Sequence, residues 1–307
     1  MNSSAGVKLP HFVIIGAMKS ATTTIYEQLR LLDGVYMPEL KEPNFFSDDS
    51  QYQQGLNWYL KLFEPAKDTD IIGEASTHYT KIPIYPNTLK RMSEVLPSVK
   101  IIYIMRDPID RLISQYIHEW SCNNIHDEIN RAVNKFPELI RYSCYAEQLK
   151  PFIDQYGVEN ILPVFFERIK KFPEDELVRI AKFIGYKGHA QWRESVSRAN
   201  VSSERLRTNK FTNFLITNPI LAAIRNSLIP HFIRDSVKSK MRMNNRPELT
   251  KTTKSKLEII FNDDLSKLGT LLGITLTSDN YKSQVITQSL EWKIKKEQKM
   301  AARKYEY

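Results

Sequence analysis

One lysine and four hydroxyl-bearing side chains stand together where an apolar run gives way to a helical pattern. The apolar residues 13–15 and Gly16 come first, and Lys19, Ser20 and three threonines at 22–24 follow. A strand, a tight turn and a helix start in this order offer backbone N–H groups, the positive end of a helix and side-chain donors to one anion. The segment predicts a phosphate-binding loop; the alternative is an ordinary strand before a threonine-capped helix.

This loop differs from the common nucleotide-binding loop. A Walker A loop has the pattern Gly-x-x-x-x-Gly-Lys-Ser/Thr, whereas Lys19 lies three residues after Gly16 and no glycine stands directly before it. A P-loop kinase needs that loop and magnesium ligands. The sequence therefore disfavours a kinase, which stays as an alternative to be separated by metal dependence.

A second anion site is predicted at Arg106, which directly follows the apolar, β-rich run Lys100–Met105. Asp107 and Pro108 fit the cap and first turn of a helix. Ser114 lies eight residues after Arg106, two turns into the following helix. Arginine offers a planar fork to a phosphate and serine a hydroxyl. Two such sites side by side would accept a nucleotide that carries phosphates at two separate positions.

Size and composition bound the class of protein. The chain has 307 residues, of which 42% are hydrophobic, so we expect a globular protein of one large or two small domains. Two cysteines argue against a disulfide-built secreted scaffold. No apolar run is long enough for a spanning helix or a signal-peptide core. We therefore expect a soluble, cytoplasmic protein without a membrane anchor.

The formal charge of +9 favours acidic partners: nucleotides, anionic glycans, nucleic acid or an anionic membrane surface. A nucleic-acid-binding protein is thus a further alternative, although no recognised binding motif occurs and the basic residues are spread along the chain. Part of the excess is local, because residues 293–307 hold six basic and two acidic residues. Residues 211–233 are apolar but interrupted; they are read as a lid, an acceptor-binding element, a membrane-surface helix pair or a packing surface.

Strands and helices are predicted to alternate along the chain. The periodicity predicts strands near residues 9–15, 71–73, 100–105 and 161–166, and helices over residues 144–156, 174–184 and 253–268. This alternation implies a parallel sheet covered on both sides. Ligands of such sheets bind beyond the carboxyl ends of the strands, where both anion sites would lie.

Taken together, these segments resemble the sulfotransferases that use 3′-phosphoadenosine 5′-phosphosulfate (PAPS). Gly-Ala-Met-Lys-Ser-Ala-Thr-Thr-Thr (residues 16–24) is similar to that family's 5′-phosphosulfate loop, and Ile-Ile-Tyr-Ile-Met-Arg-Asp-Pro-Ile-Asp-Arg-Leu-Ile-Ser-Gln-Tyr (residues 101–116) to its 3′-phosphate segment. Lys-Glu-Pro-Asn-Phe-Phe (41–46), Gly-Glu-Ala-Ser (73–76) and Asn-Arg-Pro (245–247) add to the likeness. The likeness covers roughly residues 11–275 and is strongest to the heparan-sulfate type and its bacterial relatives.

The resemblance implies a P-loop-like, three-layer α/β fold with a central parallel sheet flanked by helices. It places the sulfotransferase domain in residues 1–275 and leaves residues 276–307 as a basic C-terminal tail or helix. It implies PAPS as cosubstrate, adenosine 3′,5′-bisphosphate (PAP) as product, a hydroxyl acceptor (a carbohydrate first), no metal and no nucleic-acid partner. The implied cosubstrate-binding residues are Lys19, Ser20, Ala21, Thr22, Thr23, Thr24, Arg106, Ser114 and Arg246.

Two residues are expected to carry the chemistry. Negative charge grows on the leaving phosphate, so a cation must stand there, and Lys19 is that cation. By resemblance, Glu42 is the general base that takes the acceptor proton. Pro43 is expected to hold Glu42 in extended backbone angles. The alternative for Glu42 is a solvated loop carboxylate.

The sequence departs from the family pattern at two positions. Ala21 stands where glycine is usual, so the loop must tolerate a Cβ there, and Ala75 stands where some relatives carry a lysine that helps the chemistry. Glu74 is left open between a salt bridge and an acceptor contact, and His78 between a structural role and an acceptor contact. An aromatic cluster after Glu42 is read either as acceptor lining or as core; its members are Phe45, Phe46, Trp58 and Tyr59.

Overall fold

The computed structural model describes residues 7–197, 243, 245–287 and 289–293. A parallel five-stranded sheet with the order β2-β3-β1-β4-β5 forms its centre. The strands are β1 (Phe12–Gly16), β2 (Val35–Tyr36), β3 (Ile71–Ala75), β4 (Lys100–Met105) and β5 (Ile161–Phe165).

Helices connect and cover the strands. They are α1 (Thr22–Arg30), α2 (Asp49–Tyr52), α3 (Leu56–Lys61), α4 (Thr88–Val95), α5 (Pro108–Ser121), α6 (Ile129–Lys135), α7 (Glu138–Arg141), α8 (Tyr145–Tyr156), α9 (Phe166–Lys171), α10 (Pro173–Ile184), α11 (Glu194–Ser197), α12 (Lys251–Leu272) and α13 (Tyr281–Thr287). Two 3₁₀ turns, Thr77–Thr80 and Val158–Asn160, complete the described elements. The strands and helices predicted from the sequence all form, and the run Lys100–Met105 is a strand with the predicted bounds.

Alternate residues of each strand enter two separate cores, as the period of two requires. Val13 and Tyr103 pack with residues of α3, α4, α8, α12 and α13 on one face of the sheet. Ile14 and Ile104 pack with residues of α1, α9 and α10 on the other. Because both faces are covered, the strands are apolar throughout rather than alternating. This confirms the predicted three-layer α/β fold with a central parallel sheet.

Gly16 ends β1 at a place that no other residue type fits. Its φ is +152°, and an added Cβ would lie 2.2 Å from the hydroxyl oxygen of Thr80. Thr80 in turn donates to the carbonyl oxygen of Ile15 at 2.8 Å. The glycine therefore lets the chain leave the sheet directly into the loop that carries Lys19.

Residues after position 275 share the core on the α12 side of the sheet. Leu276, Tyr281 and Val285 are buried there, and the Trp292 indole donates to the carbonyl oxygen of Ile161 at 2.7 Å. The division of the chain at residue 275 stays a prediction. Residues 211–233 and 294–307 lie outside the described residues. Among the described helices, none has the length and apolar character needed to cross a bilayer.

Candidate active site

The sheet order brings three loops together at one edge. β1 lies between β3 and β4, with Ile14 in register with Ala75 on one side and with Ile102 on the other. Just past the strands, Ser76 N donates to Ile14 O at 3.0 Å and Ala17 N to Ile104 O at 2.7 Å. The loop after β1 is therefore flanked by the ends of β3 and β4, which is where ligands bind in parallel sheets of this kind.

The loop after β1 leads into an N-terminus of α1 that has no side-chain cap. Its cap residue is Ala21, in the left-handed conformation with φ 68° and ψ 21°. The alternative interpretation, an ordinary threonine-capped helix, is therefore wrong for α1. Lys19 also has a positive φ, 71°. Because the first N–H groups of a helix need partners from outside it, this uncapped end can bind an anion.

Ser20 lies within the same loop and is fully buried. Its hydroxyl has no hydrogen-bond partner among the described residues. A buried hydroxyl normally has a partner, so this donor fits a ligand oxygen at the loop. The loop thus supplies helix N–H groups, a buried hydroxyl and the Lys19 cation at one place.

Arg106 leaves the end of β4 in a fixed position. Its backbone N–H donates to the Tyr145 hydroxyl at 3.2 Å, and that hydroxyl donates to the Arg106 carbonyl oxygen at 2.5 Å. Its guanidinium carbon lies 4.5 Å from the centre of the Phe166 ring. Nη1 donates to the carbonyl oxygen of Lys19 at 3.3 Å. The two predicted anion sites are therefore neighbours in space.

The helix after Arg106 begins as predicted. Asp107 caps α5, its carboxylate accepting from the backbone N–H of Asp110 at 2.8 Å, and Pro108 occupies the first turn. Ser114 is buried two turns further along α5. The Arg106 Nε atom is buried and has no hydrogen-bond partner within the described part of the chain. Arg106 therefore keeps a donor that a phosphate oxygen can take.

Arg246 meets α5 at its first turn. Its Nη2 atom lies 2.5 Å from Oδ1 of Asp110, and Lys282 Nζ lies 2.7 Å from Oδ2 of the same carboxylate. Burial would raise the pKa of Asp110, but Lys282, Arg106 and Arg246 outweigh it and lower that pKa. Arg246 thus contacts Asp110, which lies one helical turn before Ser114 on α5. Lys282 lies in the segment that the sequence interpretation left as a tail, so nothing in the motifs pointed to it.

Glu42 lies at the opposite side of the Lys19 loop, against the end of β3. Its backbone N–H donates to Ala75 O at 3.0 Å. Its carboxylate pairs with Lys41 Nζ at 2.6 Å and accepts from the Thr77 hydroxyl at 3.0 Å. The expected extended backbone is wrong, because the φ of Glu42 is +60°. The bonds to Ala75 and Thr77 hold this conformation in place of the usual pre-proline geometry.

The carboxylate of Glu42 is ionised at neutral pH. Burial alone would raise its pKa, but the Lys41 ammonium, through its charge and its hydrogen bond, and the Thr77 hydroxyl together lower it below the ordinary value. A half-buried, ionised carboxylate beside an anion-binding loop can accept a proton from a bound hydroxyl. Neither Lys41 nor Thr77 was singled out from sequence, because the contacts form only once the loop folds onto β3.

Glu74 has a structural role. It is fully buried and accepts hydrogen bonds from the hydroxyls of Tyr59 at 2.5 Å, Ser76 at 2.6 Å and Tyr79 at 2.9 Å. Burial raises the pKa of its carboxyl despite these bonds. Within the described ranges no cation lies at ion-pair distance from it. Tyr59 packs with the equally buried Phe45 and Phe46, so these aromatic residues belong to the core.

His78 directly follows Thr77, whose hydroxyl donates to Glu42. Its ring stacks on Tyr85 with 5.0 Å between ring centres, and its Nδ1 atom is buried with no hydrogen-bond partner in the described residues. Burial, with the nearby Lys81 cation, lowers its pKa to about 4. His78 is therefore neutral at physiological pH. Lys81 was not singled out from the sequence, because it belongs to no motif.

A model of the sulfotransferase domain matches residues 9–269. The chain is 30% identical over 195 residues to heparan sulfate glucosamine 3-O-sulfotransferase 3B1 of Mus musculus, a match that covers 60% of this chain and 48% of that protein. It is 25% identical over 209 residues to bifunctional heparan sulfate N-deacetylase/N-sulfotransferase 4 of Mus musculus, covering 62% and 24%. These matches span about half or less of the curated relatives.

Among solved structures, the fold is similar to that of a sulfotransferase from Alicyclobacillus acidocaldarius. The TM-score is 0.62 at 21% identity, and the match covers 88% of this chain and 98% of that one. At this identity the likeness supports the fold.

Proposed function

The chain belongs to the sulfotransferase domain family, and from this premise we propose that it transfers a sulfuryl group from PAPS to a hydroxyl of a carbohydrate. One observation carries the proposal. The guanidinium of Arg106 donates to the carbonyl oxygen of Lys19, so two anion-binding loops on adjacent strands lie side by side. This spacing suits one nucleotide with phosphates at its 5′ and 3′ positions.

The residues present fit such a nucleotide. Lys19, Ser20 and residues 21–24 would hold the 5′-phosphosulfate, because the α1 N-terminus lacks a side-chain cap and the Ser20 hydroxyl is buried without a partner in the described chain. Arg106 and Ser114 would hold the 3′-phosphate, with the Arg106 Nε atom as a free donor there in the described residues. Arg246, anchored on Asp110, would close this end.

In the proposed reaction the sulfuryl group passes directly to the acceptor, and the protein forms no covalent bond to it. The acceptor oxygen forms a bond to sulfur, the bond between sulfur and the 5′-phosphate oxygen breaks, and the hydroxyl proton passes to Glu42. Lys19 and the α1 N-terminus stabilise the charge left on the phosphate. Glu42 suits the role of base because it is ionised and lies on the β3 side of the loop, opposite Arg106.

The acceptor class is proposed from the curated relatives, which are named for heparan sulfate glucosamine. A carbohydrate hydroxyl is therefore the first class to test. The cytoplasmic location and the absence of a nucleic-acid partner stay predictions.

A screen of acceptors tests the proposal. The purified chain is incubated with PAPS, without divalent ions and with EDTA, and PAP release is measured with oligosaccharides, lipids and small hydroxyl compounds. We expect release with an oligosaccharide, undiminished by EDTA. Lys19→Ala should reduce turnover far more than it weakens PAP binding. No release with any acceptor, or turnover only with ATP and magnesium, would contradict the proposal.

A further inference from the structure

A group of side chains lies beyond Glu42 that the donor site does not use. We call it the acceptor-side cluster: His78, Lys81, Tyr85 and Tyr142. Lys81 ends the 3₁₀ turn Thr77–Thr80, and its backbone N–H donates to His78 O at 3.0 Å. Residues three apart in a 3₁₀ turn eclipse one another. The side chains of His78 and Lys81 therefore leave the backbone on the same side, directly after the Thr77 that bonds Glu42.

The Lys81 side chain is largely buried, and its ammonium has no ion-pair partner within the described residues. The residue is only 9% exposed. In the described part of the chain no carboxylate lies within 4.0 Å of its Nζ atom, which instead sits 5.7 Å from the centre of the Tyr142 ring. Glu42 and Glu119 act on it electrostatically from a greater distance. Buried charges in proteins are normally paired, so this cation points to an anion that comes with the substrate.

His78 adds a second observation of the same kind. Its Nδ1 atom is buried and has no partner among the described residues, and its ring is fixed by stacking on Tyr85. A neutral imidazole offers one donor and one acceptor nitrogen. Within the described residues, neither the His78 Nδ1 atom nor the Lys81 ammonium has a hydrogen-bond or ion-pair partner. Two such groups on one side of a single turn indicate a site for a polar, negatively charged group.

We propose that Lys81 is a specificity-determining residue that binds an anionic substituent, a carboxylate or sulfate, on the acceptor sugar whose hydroxyl reaches Glu42. The inference rests on the proposed function, and it assigns a role to a residue outside the donor-site motifs. The rings of His78, Tyr85 and Tyr142 give the site apolar walls, against which the faces of a sugar ring can pack. His78 contributes a hydrogen bond to the same substituent or to the neighbouring hydroxyl.

The charge of Lys81 is consistent with this role. Burial lowers its pKa to about 8, while Glu42 and Glu119 counter part of that shift. The amine is thus protonated at neutral pH. Burial destabilises this charged form, and no ion pair within the described residues offsets the loss of hydration. An acceptor anion would supply the missing partner, whereas a neutral acceptor would leave the ammonium uncompensated.

The test compares two acceptors in four proteins. The acceptors are a heparosan hexasaccharide, which alternates glucuronic acid with N-acetylglucosamine, and the same hexasaccharide with its carboxyl groups reduced to alcohols. The proteins are the wild type, Lys81→Met and Lys81→Arg, with Lys150→Met as a matched control. Lys150 is an exposed lysine on α8, so its substitution removes the same charge from a residue outside the cluster.

The quantity measured is the ratio of kcat/KM for the acidic acceptor to kcat/KM for the reduced one. We expect Lys81→Met to lower this ratio about ten- to hundredfold, mainly through KM of the acidic acceptor, because a hydrogen bond to a charged group is lost. Lys81→Arg should keep the ratio within about threefold of wild type, and Lys150→Met should not change it. PAP affinity, measured by calorimetry, should be equal in all four proteins.

Each other outcome counts against the inference. If wild type releases no PAP with either acceptor, the proposed role of Lys81 in binding these acidic sugars is overturned, and the acceptor screen described above decides separately whether the carbohydrate activity fails. If wild type uses both acceptors but Lys81→Met lowers both values by the same factor, Lys81 is structural and this inference alone is overturned. An unchanged ratio in Lys81→Met overturns it in the same way. Should Lys81→Met fail to fold, Lys81→Gln is measured against the same criteria.

Discussion

The guanidinium of Arg106 and the carbonyl oxygen of Lys19 lie 3.3 Å apart, although the two residues are 87 positions apart in the chain. The contact spans the crevice between the adjacent parallel strands β1 and β4. After β1 the chain continues to β2 on one side of the sheet, and after β4 it continues to β5 on the other side. Ligands of parallel sheets bind at such a crevice. The contact therefore fixes how far apart the two phosphate sites lie. Because the sites are separate, a substitution in one site should weaken binding of only the phosphate held there.

Replacement of Arg106 should weaken binding of the 3′-phosphate alone. Arg106→Met keeps an apolar side chain against Phe166 but loses the donors. We expect the Kd for PAP to rise about ten- to hundredfold, because contacts between a charged donor and phosphate are lost. The Kd for adenosine 5′-phosphosulfate, which has no 3′-phosphate, should stay within about twofold. Isothermal titration calorimetry measures both.

The control for this prediction is Arg131→Met, which removes an exposed arginine on α6. It should leave both affinities unchanged. Equal weakening of the two nucleotides by Arg106→Met would show that Arg106 supports the fold of the crevice and does not bind the 3′-phosphate.

Glu42→Gln should remove the general base without changing nucleotide binding. We expect a loss of about 10²- to 10⁴-fold in kcat, the contribution typical of general base catalysis, with the Kd for PAP unchanged. Because Lys41 and Thr77 help hold the pKa of Glu42 below its ordinary value of 4.5, the wild-type rate should show no fall from this group between pH 8 and pH 5.

Glu39→Gln is the matched control, because Glu39 lies three residues earlier with its side chain 94% exposed. It should retain full activity. A Glu42→Gln variant that keeps more than a third of the wild-type rate would assign the proton to another acceptor.

Ala21→Gly should stabilise the protein. Ala21 has φ 68° at the start of α1, a conformation that strains an L-residue and that glycine adopts freely. We expect the free energy of unfolding to rise by about 0.5–1 kcal/mol, measured by urea denaturation. Ala132→Gly, within α6, should instead destabilise by about 1 kcal/mol or more. A destabilising Ala21→Gly would show that the Cβ has packing value that outweighs the strain.

Ionisation of Glu167 should lower the free energy of unfolding as the pH rises. It lies just past β5 and accepts from Asp107 N at 2.9 Å, and burial raises its pKa from 4.5 to about 7. The folded protein therefore binds more protons than the unfolded chain between these values, so its free energy of unfolding decreases across that range. Glu167→Gln should gain about 1–3 kcal/mol over wild type between pH 5 and pH 8.

Thermal unfolding at several pH values measures this effect, with the exposed Glu159→Gln as control. A difference between Glu167→Gln and wild type that is independent of pH would mean that the carboxylate stays charged throughout.

The sequence predicted those parts of the site that depend on local pattern. The apolar run before Arg106 defines β4, and the first two turns of α5 then place Ser114. Because a parallel sheet gathers strand ends at one edge, the Lys19 loop and Arg106 could be expected to meet. Glu42 as base and Arg246 as a closing cation are read from the family resemblance and stay predictions.

The rest depends on contacts between distant segments. The positive φ of Glu42 follows from bonds to Ala75 and Thr77, which no local rule for a residue before proline contains. The burial of Lys81 needs the ring of Tyr142, which is 61 positions away. Lys282 reaches Asp110 only because α13 packs on the core. Residue type and spacing within one segment carry no sign of these partners.

A crystal structure of the chain with PAP tests the central claim most directly. We predict the 5′-phosphate against residues 19–24 at the α1 N-terminus, the 3′-phosphate against Arg106 and Ser114, and the Glu42 carboxylate facing the side of the 5′-phosphate where the sulfate would project. PAP bound elsewhere, or bound with neither phosphate near Lys19 and Arg106, would contradict the account.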